Sequence, residues 1–157
     1  MTYLILKYFH LISAILLFGT GLGSAFYKWM ADRNGNISNI AITNKNVVLA
    51  DWIFTTPTVV FQPISGAWMA TIIGLPLTTP WLMLSFVLYF IAGACWLPVV
   101  YLQIKMQKMS YIAMKNKNDL PQEYWQYAKL WFVLGIPAFI SMVLIVMLMV
   151  FKNIIIG

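Results

Sequence analysis

Four apolar segments dominate this chain, over about residues 3–30, 48–73, 80–107 and 121–151. Each is long enough to cross a bilayer, because an α-helix needs about 20 apolar residues to span a hydrocarbon core of about 30 Å. The composition agrees, since 62% of the 157 residues are hydrophobic and 9% are charged. The sequence therefore predicts an all-α, integral membrane four-helix bundle, with residues 1–157 forming a single membrane domain in the lipid bilayer.

Basic residues cluster beside the first and third of the predicted loops. The chain carries ten Lys and Arg against four Asp and Glu, a net charge of +6. In a soluble domain this charge suggests a nucleic-acid partner, but in a membrane protein basic loops set the orientation, so no nucleic acid is expected. The positive-inside rule predicts that both basic loops are cytoplasmic and both termini lie outside. The residues behind this prediction are Lys28, Arg33, Lys45, Lys105, Lys108, Lys115, Lys117 and Lys129.

His10 is the single histidine of the chain and lies about two turns into the first predicted helix. An ionisable side chain inside the membrane is a candidate for function. Its helical face carries mainly small residues, including Ala14 and Gly21, and suits a flat macrocycle or a neighbouring helix. One interpretation makes His10 the axial iron ligand of haem b, with Ala14 and Gly21 beside the ring. The other makes it a hydrogen-bonded histidine near the membrane interface.

The second predicted helix carries a stripe of polar residues at spacings of four, three, four and three, which places them on one face. Such a face must turn toward other helices or water, because unsatisfied polar groups are costly in hydrocarbon. A proton track, a quinone head-group site or a solute path would all suit it. A structural alternative has the threonines bonding back to helix carbonyls and the aspartate pairing with a lysine. The stripe comprises Asp51, Thr55, Thr58, Gln62 and Ser65.

Glycines and prolines recur inside the predicted helices. Gly19 and Gly23 form a Gly-x-x-x-Gly pair on the face opposite His10, which indicates close helix packing, a homodimer or a larger membrane complex. Each internal proline removes one backbone hydrogen bond and favours a kink. These prolines are Pro57, Pro63, Pro98 and Pro137.

Several short motifs together resemble a bacterial family of predicted integral membrane proteins, number 2269 among the domains of unknown function. The motifs are Lys7-x-x-His10, Gly19-Thr-Gly-Leu-Gly23, Ala50-Asp51-Trp52-x-Phe54-Thr55-x-Pro57, Gln62-Pro63, Gly93-Ala-Cys95-Trp96-Leu-Pro98 and Trp131-Phe-x-Leu-Gly135-x-Pro137. The resemblance covers nearly the whole chain and implies a multi-pass protein of the bacterial cytoplasmic (inner) membrane.

The first helix is also similar to that of the HemJ-type protoporphyrinogen oxidases. That similarity consists of Lys7-x-x-His10 and the following Gly19. In the HemJ family the histidine is implicated in haem b binding, so the resemblance implies a haem role for His10. The motifs that HemJ carries in its later helices have no counterpart here.

Two functions follow from the sequence. The leading hypothesis is a haem b protein of the membrane that works in electron transfer or porphyrin oxidation. The alternative is a non-enzymatic membrane module, either a small-solute carrier or a partner subunit of a membrane complex. Hydrolytic and ATP-driven chemistry is not expected, because the sequence contains no glycine-rich phosphate loop and no Ser/His/Asp set. Whether the protein is an enzyme is open at this point.

Overall fold

Helices account for nearly all of the chain. The computed structural model describes the backbone of residues 1–155 and the side chains of residues 1–151. Helix α1 spans Thr2–Asn34, α2 spans Ile37–Ala50, α3 spans Thr56–Ile72, α4 spans Pro80–Asn116 and α5 spans Gln122–Ile155. A π-helical turn, Asp51–Thr55, joins α2 to α3, so these elements form one continuous span. The described residues contain four spans that are long and apolar enough to cross a membrane, which confirms the predicted all-α, four-helix fold.

The helices continue past the predicted apolar segments at the end that carries the first and third loops. Gly35, in a left-handed conformation with φ of 71°, ends α1, and the Asn36 side chain then caps α2 by accepting from the Asn39 amide at 3.0 Å. The stretch before residue 48, which lies outside the predicted apolar segments, is therefore helical. Hydropathy detects only the part of a helix inside hydrocarbon, whereas capping and packing decide where the helix ends. We call this end of the bundle the basic end.

The π turn lies immediately before Pro57. The Thr56 amide donates to the carbonyl of Asp51, five residues earlier, instead of the usual four. Pro57 has no amide hydrogen to donate, so the α-helical pattern is already interrupted at this point. Wide turns of this kind are frequent at functional sites, because they rotate the side chains before them relative to those that follow. Here the turn sets the direction of Asp51 and Thr55.

The spans pack as two antiparallel hairpins. In one hairpin α1 lies against α2 and α3, and in the other α4 packs along α5. The two hairpins join mainly through α2 and α4, toward the basic end. At most 28% of the most apolar window of any span is buried, so most of its side chains are accessible, as a surface in contact with lipid requires. The buried core at the basic end consists of Ala31, Ile40, Val99, Leu102, Met106, Tyr124 and Trp131.

Candidate functional site inside the bundle

His10 lies at the contact between α1 and α3, where it is only 7% exposed. Its Nδ1 atom is 2.7 Å from the Ser65 hydroxyl, and the Gln62 side-chain amide donates to the His10 carbonyl at 2.9 Å. A Cβ atom at Gly66 would lie 3.6 Å from the imidazole Cε1, so the ring rests against the α3 backbone. The imidazole is thus held by the Ser65 side chain, 55 residues further along the chain, while Gln62 holds the His10 backbone.

The Ser65 hydroxyl lies between His10 Nδ1 and the α3 backbone. Its oxygen is also 2.7 Å from the carbonyl of Phe61, one turn earlier, to which a serine hydroxyl in a helix can donate. In the tautomer that uses both contacts, Ser65 donates to Phe61 and accepts from the Nδ1 hydrogen of His10. Nε2 is left with a free lone pair, and within the described part of the chain it has no hydrogen-bond partner. This nitrogen is available to a metal ion, a proton or a hydrogen-bond donor.

All five residues of the polar stripe are buried, so the stripe faces the other helices. Thr58 bonds back to the carbonyls of Phe54 and Thr55 at 2.7 and 2.8 Å, as the structural alternative expected. Gln62 and Ser65 instead hold His10. The stripe and the histidine, which the sequence treated as two separate features, therefore meet at the α1–α3 contact.

Asp51 is bound by an amide instead of the lysine that the structural alternative expected. In the orientation that satisfies both neighbours, the Gln103 amide nitrogen donates to Asp51 Oδ2 at 2.7 Å. The Gln103 oxygen then accepts from the Trp131 indole at 3.2 Å. In the described side chains the lysine that pairs with a carboxylate is Lys28, whose partner is Asp32 on the same helix.

A cavity of about 350 Å³ lies between the two hairpins. Helices α1, the π turn with α3, α4 and α5 all contribute to its wall. Gly21, which the sequence placed beside a cofactor, lines this cavity, but neither His10 nor Ala14 does. The predicted face of α1 is therefore divided between the α3 contact and the cavity. The polar and aromatic lining of the cavity includes Asp51, Thr55, Tyr89, Trp96, Gln103 and Trp131.

Tyr89 repairs a hydrogen bond that Pro63 removes. In a regular helix the carbonyl of Val59 would accept from the amide of residue 63, but proline has none. The Tyr89 hydroxyl donates to that carbonyl at 2.5 Å across the gap between α4 and α3. The carbonyl that Pro63 leaves without an amide donor is thus satisfied by a side chain 30 residues away in the sequence.

A second polar cluster joins α1, α2, α4 and α5 at the basic end. The Tyr124 hydroxyl is its centre: it donates to Asp32 at 2.6 Å and accepts from Lys28 at 3.1 Å and from Asn44 at 3.0 Å. Asn44 also donates to Ser110 at 3.0 Å. Lys28 is only 2% exposed and lies over the Tyr124 ring, so its charge is enclosed by Asp32 and aromatic surface.

Neither this cluster nor the inward face of α4 was predicted from the sequence. The inward face of α4 carries a polar or aromatic residue at every seventh position. This period was a usable signal, because it places four such residues on one side of the helix. For the basic-end cluster the available signal was the spacing of Lys28 and Asp32, which are four apart on one helix. The four residues of the α4 face are Tyr89, Trp96, Gln103 and Ser110.

The donor set bears directly on the cofactor hypothesis. Within the described residues, no three of the His, Cys, Asp and Glu side chains come together as a metal-binding group. Haem needs only one or two protein donors, and the free lone pair of His10 Nε2 fits that role. The cavity does not reach His10, so its volume says nothing about space for a haem ring at His10.

The fold and its buried polar site define a four-span integral membrane protein. The chain belongs to the family described as Predicted integral membrane protein (DUF2269), whose sequence model matches residues 4–153. This match confirms the resemblance carried by the sequence motifs. The comparisons with curated proteins and with solved structures give no match. The similarity of the first helix to HemJ therefore stays a prediction.

Proposed function

We propose that this protein binds haem b in the bacterial cytoplasmic membrane, with His10 as an axial ligand, and serves electron transfer or porphyrin oxidation. The observation that carries the proposal is the 2.7 Å contact between His10 Nδ1 and the Ser65 hydroxyl, which itself lies 2.7 Å from the Phe61 carbonyl. In the tautomer that donates from Nδ1 to Ser65, the Nε2 lone pair is available to iron. Metal-ligating histidines commonly donate their other ring hydrogen to a fixed acceptor in this way.

The surrounding residues have separate roles in the proposal. Ser65 would orient the imidazole and keep the Nδ1 proton in place, while Gln62 would fix the backbone of α1 at His10. Gly66 lies beside the imidazole, where an added Cβ atom would be in ordinary contact with Cε1 at 3.6 Å. Haem, when bound, supplies a one-electron redox centre whose potential depends on its axial ligands. Ala14 and Gly21 remain the proposed neighbours of the ring on α1.

Absorption spectroscopy tests the proposal. Protein purified in mild detergent after haem-sufficient expression should show a Soret band and, after reduction, α and β bands. His10→Ala should abolish these bands, while Ser65→Ala should retain the ligand and weaken haem affinity by about 10- to 100-fold. Gly19→Ala is the matched control, because Gly19 has open space at its Cβ position. A wild-type spectrum without a Soret band, or with one that survives in His10→Ala, would refute the assignment.

A non-enzymatic membrane module is the second proposed function, either as a subunit of a larger complex or as a small-solute carrier. The subunit form is favoured by Gly19 and Gly23, since a Cβ atom at either would have no neighbour within 4 Å and another helix can approach there. The carrier form is less favoured, because four residues of the polar stripe already bond to His10, to Gln103 or to their own helix. Light scattering of wild type and of a Gly19→Leu, Gly23→Leu variant would detect a homodimer through that face.

A further inference from the structure

The cavity between the hairpins has the shape and lining of a ligand pocket. Its volume of about 350 Å³ lies at the lower end of the range for small-molecule sites, about 300 to 1,000 Å³. The wall is mainly apolar and aromatic. A Cβ atom at Gly21, Gly93 or Gly135 would meet nothing within 4 Å, so glycines on three helices help to keep this space open.

Helices α1 and α5 form one side of the cavity, and they make little direct contact along their length. Several lining residues on both helices are largely accessible, as Leu22 and Ile136 illustrate. The Phe18 and Phe139 rings meet edge to face between the two helices, with centroids 6.0 Å apart. A hydrophobic molecule that entered on this side from the bilayer would displace side chains such as these rings, with little helix–helix contact to break.

The polar groups of the cavity stand at its edge nearest the basic end and on α4. Asp51 and Gln103 form one hydrogen-bonded pair there, with the Trp131 indole behind them. The indole nitrogen of Trp96 is buried and has no hydrogen-bond partner among the described residues. A buried donor that lacks a partner calls for an acceptor, which a bound molecule can supply. A carbonyl oxygen is the neutral acceptor that fits such a site.

We propose that this cavity binds the head ring of a lipid-soluble quinone, with its isoprenoid tail leaving between α1 and α5. A flat ring suits a wall that alternates aromatic side chains with glycines, and its carbonyl oxygens suit the indole of Trp96 and the amide of Gln103. A phospholipid head group suits it less, because the lining contains no Lys, Arg or His to neutralise a phosphate. An acyl chain alone would leave the indole nitrogen of Trp96 without a partner.

This inference does not rest on the haem proposal. His10 lies outside the cavity lining, and quinone affinity is measured separately from the Soret band. The test titrates detergent-solubilised protein with decylubiquinone and follows the quenching of tryptophan fluorescence, since Trp96 and Trp131 line the cavity. Saturable quenching is the expected result. Quenching that rises linearly with quinone, as simple partition into the micelle would give, overturns the proposal.

Three variants locate the binding. Gly93→Leu places a side chain in the cavity and should lower quinone affinity by at least about tenfold. Val87→Leu, at an exposed position of the same helix outside the cavity lining, should leave affinity unchanged. Trp96→Phe keeps an aromatic ring but removes the indole donor, and should weaken binding about five- to tenfold. If Trp96→Phe and Gly93→Leu both bind as the wild type does, the quinone lies elsewhere. Competition by an excess of saturated phosphatidylglycerol that displaces the quinone would also overturn the proposal, in favour of a general lipid groove.

Discussion

Replacing Tyr124 by Phe tests whether the polar cluster at the basic end holds the two hairpins together. The substitution keeps the ring, which packs in the buried core, and removes only the hydroxyl. That hydroxyl makes three hydrogen bonds: to Asp32 and from Lys28, both on α1, and from Asn44 on α2. Tyr124 is on α5, so every one of these bonds joins the second hairpin to the first.

The expected cost follows from the number and type of these bonds. Side-chain hydrogen bonds in membrane proteins average about 0.6 kcal/mol, so three ordinary bonds would give about 2 kcal/mol. Two of the three involve a charged partner, for which soluble proteins give about 1.5–3 kcal/mol each. The loss is limited because Lys28 keeps Asp32, and Asn44 keeps Ser110. We therefore expect the free energy of unfolding to fall by about 2–3 kcal/mol, or about 30- to 150-fold in the folding equilibrium.

Reversible unfolding in mixed micelles, with SDS mole fraction as the denaturant, measures this change. Tyr127→Phe is the matched control, because it also removes a tyrosine hydroxyl from α5. The hydrogen bond of that hydroxyl, to Glu123, is exposed and lies within the same helix. The Tyr127→Phe variant should unfold as the wild type does. A Tyr124→Phe variant that stays within about 0.5 kcal/mol of the wild type, with unfolding still reversible, would refute the idea that this cluster joins the hairpins.

Three further outcomes are expected. Tyr89→Phe should lower the free energy of unfolding by about 1–2 kcal/mol, and by less in a Pro63→Ala background, where the restored amide can satisfy the Val59 carbonyl; equal costs in the two backgrounds would contradict that role. Gly35→Ala should destabilise the protein by about 1 kcal/mol, and Lys117→Gly should stabilise it by up to about 1 kcal/mol. Both positions have positive φ at a helix end, which glycine adopts more readily than other residues. Thermal unfolding in detergent measures both changes. Fluorescent-protein fusions truncated in the first or third loop should fluoresce, because the positive-inside rule places both loops in the cytoplasm. Dark fluorescent-protein fusions, together with active alkaline phosphatase fusions at the same positions, would reverse the predicted orientation.

Local sequence signals were sufficient for the framework of the fold. Long apolar segments identify the four spans, since hydrophobicity acts on each helix independently of its neighbours. Pro80 marks the start of α4, because proline is favoured in the first helical turn. The regular spacing from Asp51 to Ser65 correctly indicates a helix face, and the high cost of exposed polar groups in lipid turns that face inward.

The partners of the polar groups were decided by the tertiary structure. The opening feature of the sequence, four apolar spans, says nothing about which spans touch. Ser65 reaches His10 across 55 residues, and Tyr124 reaches Lys28 across 96. Such contacts depend on how the hairpins pack and on the rotation introduced by the π turn. The cavity likewise is lined by residues of four spans, so it is a property of the packed bundle and of no single helix. The sequence determined what must be buried in this protein, and the packing of four helices decided what each buried group meets.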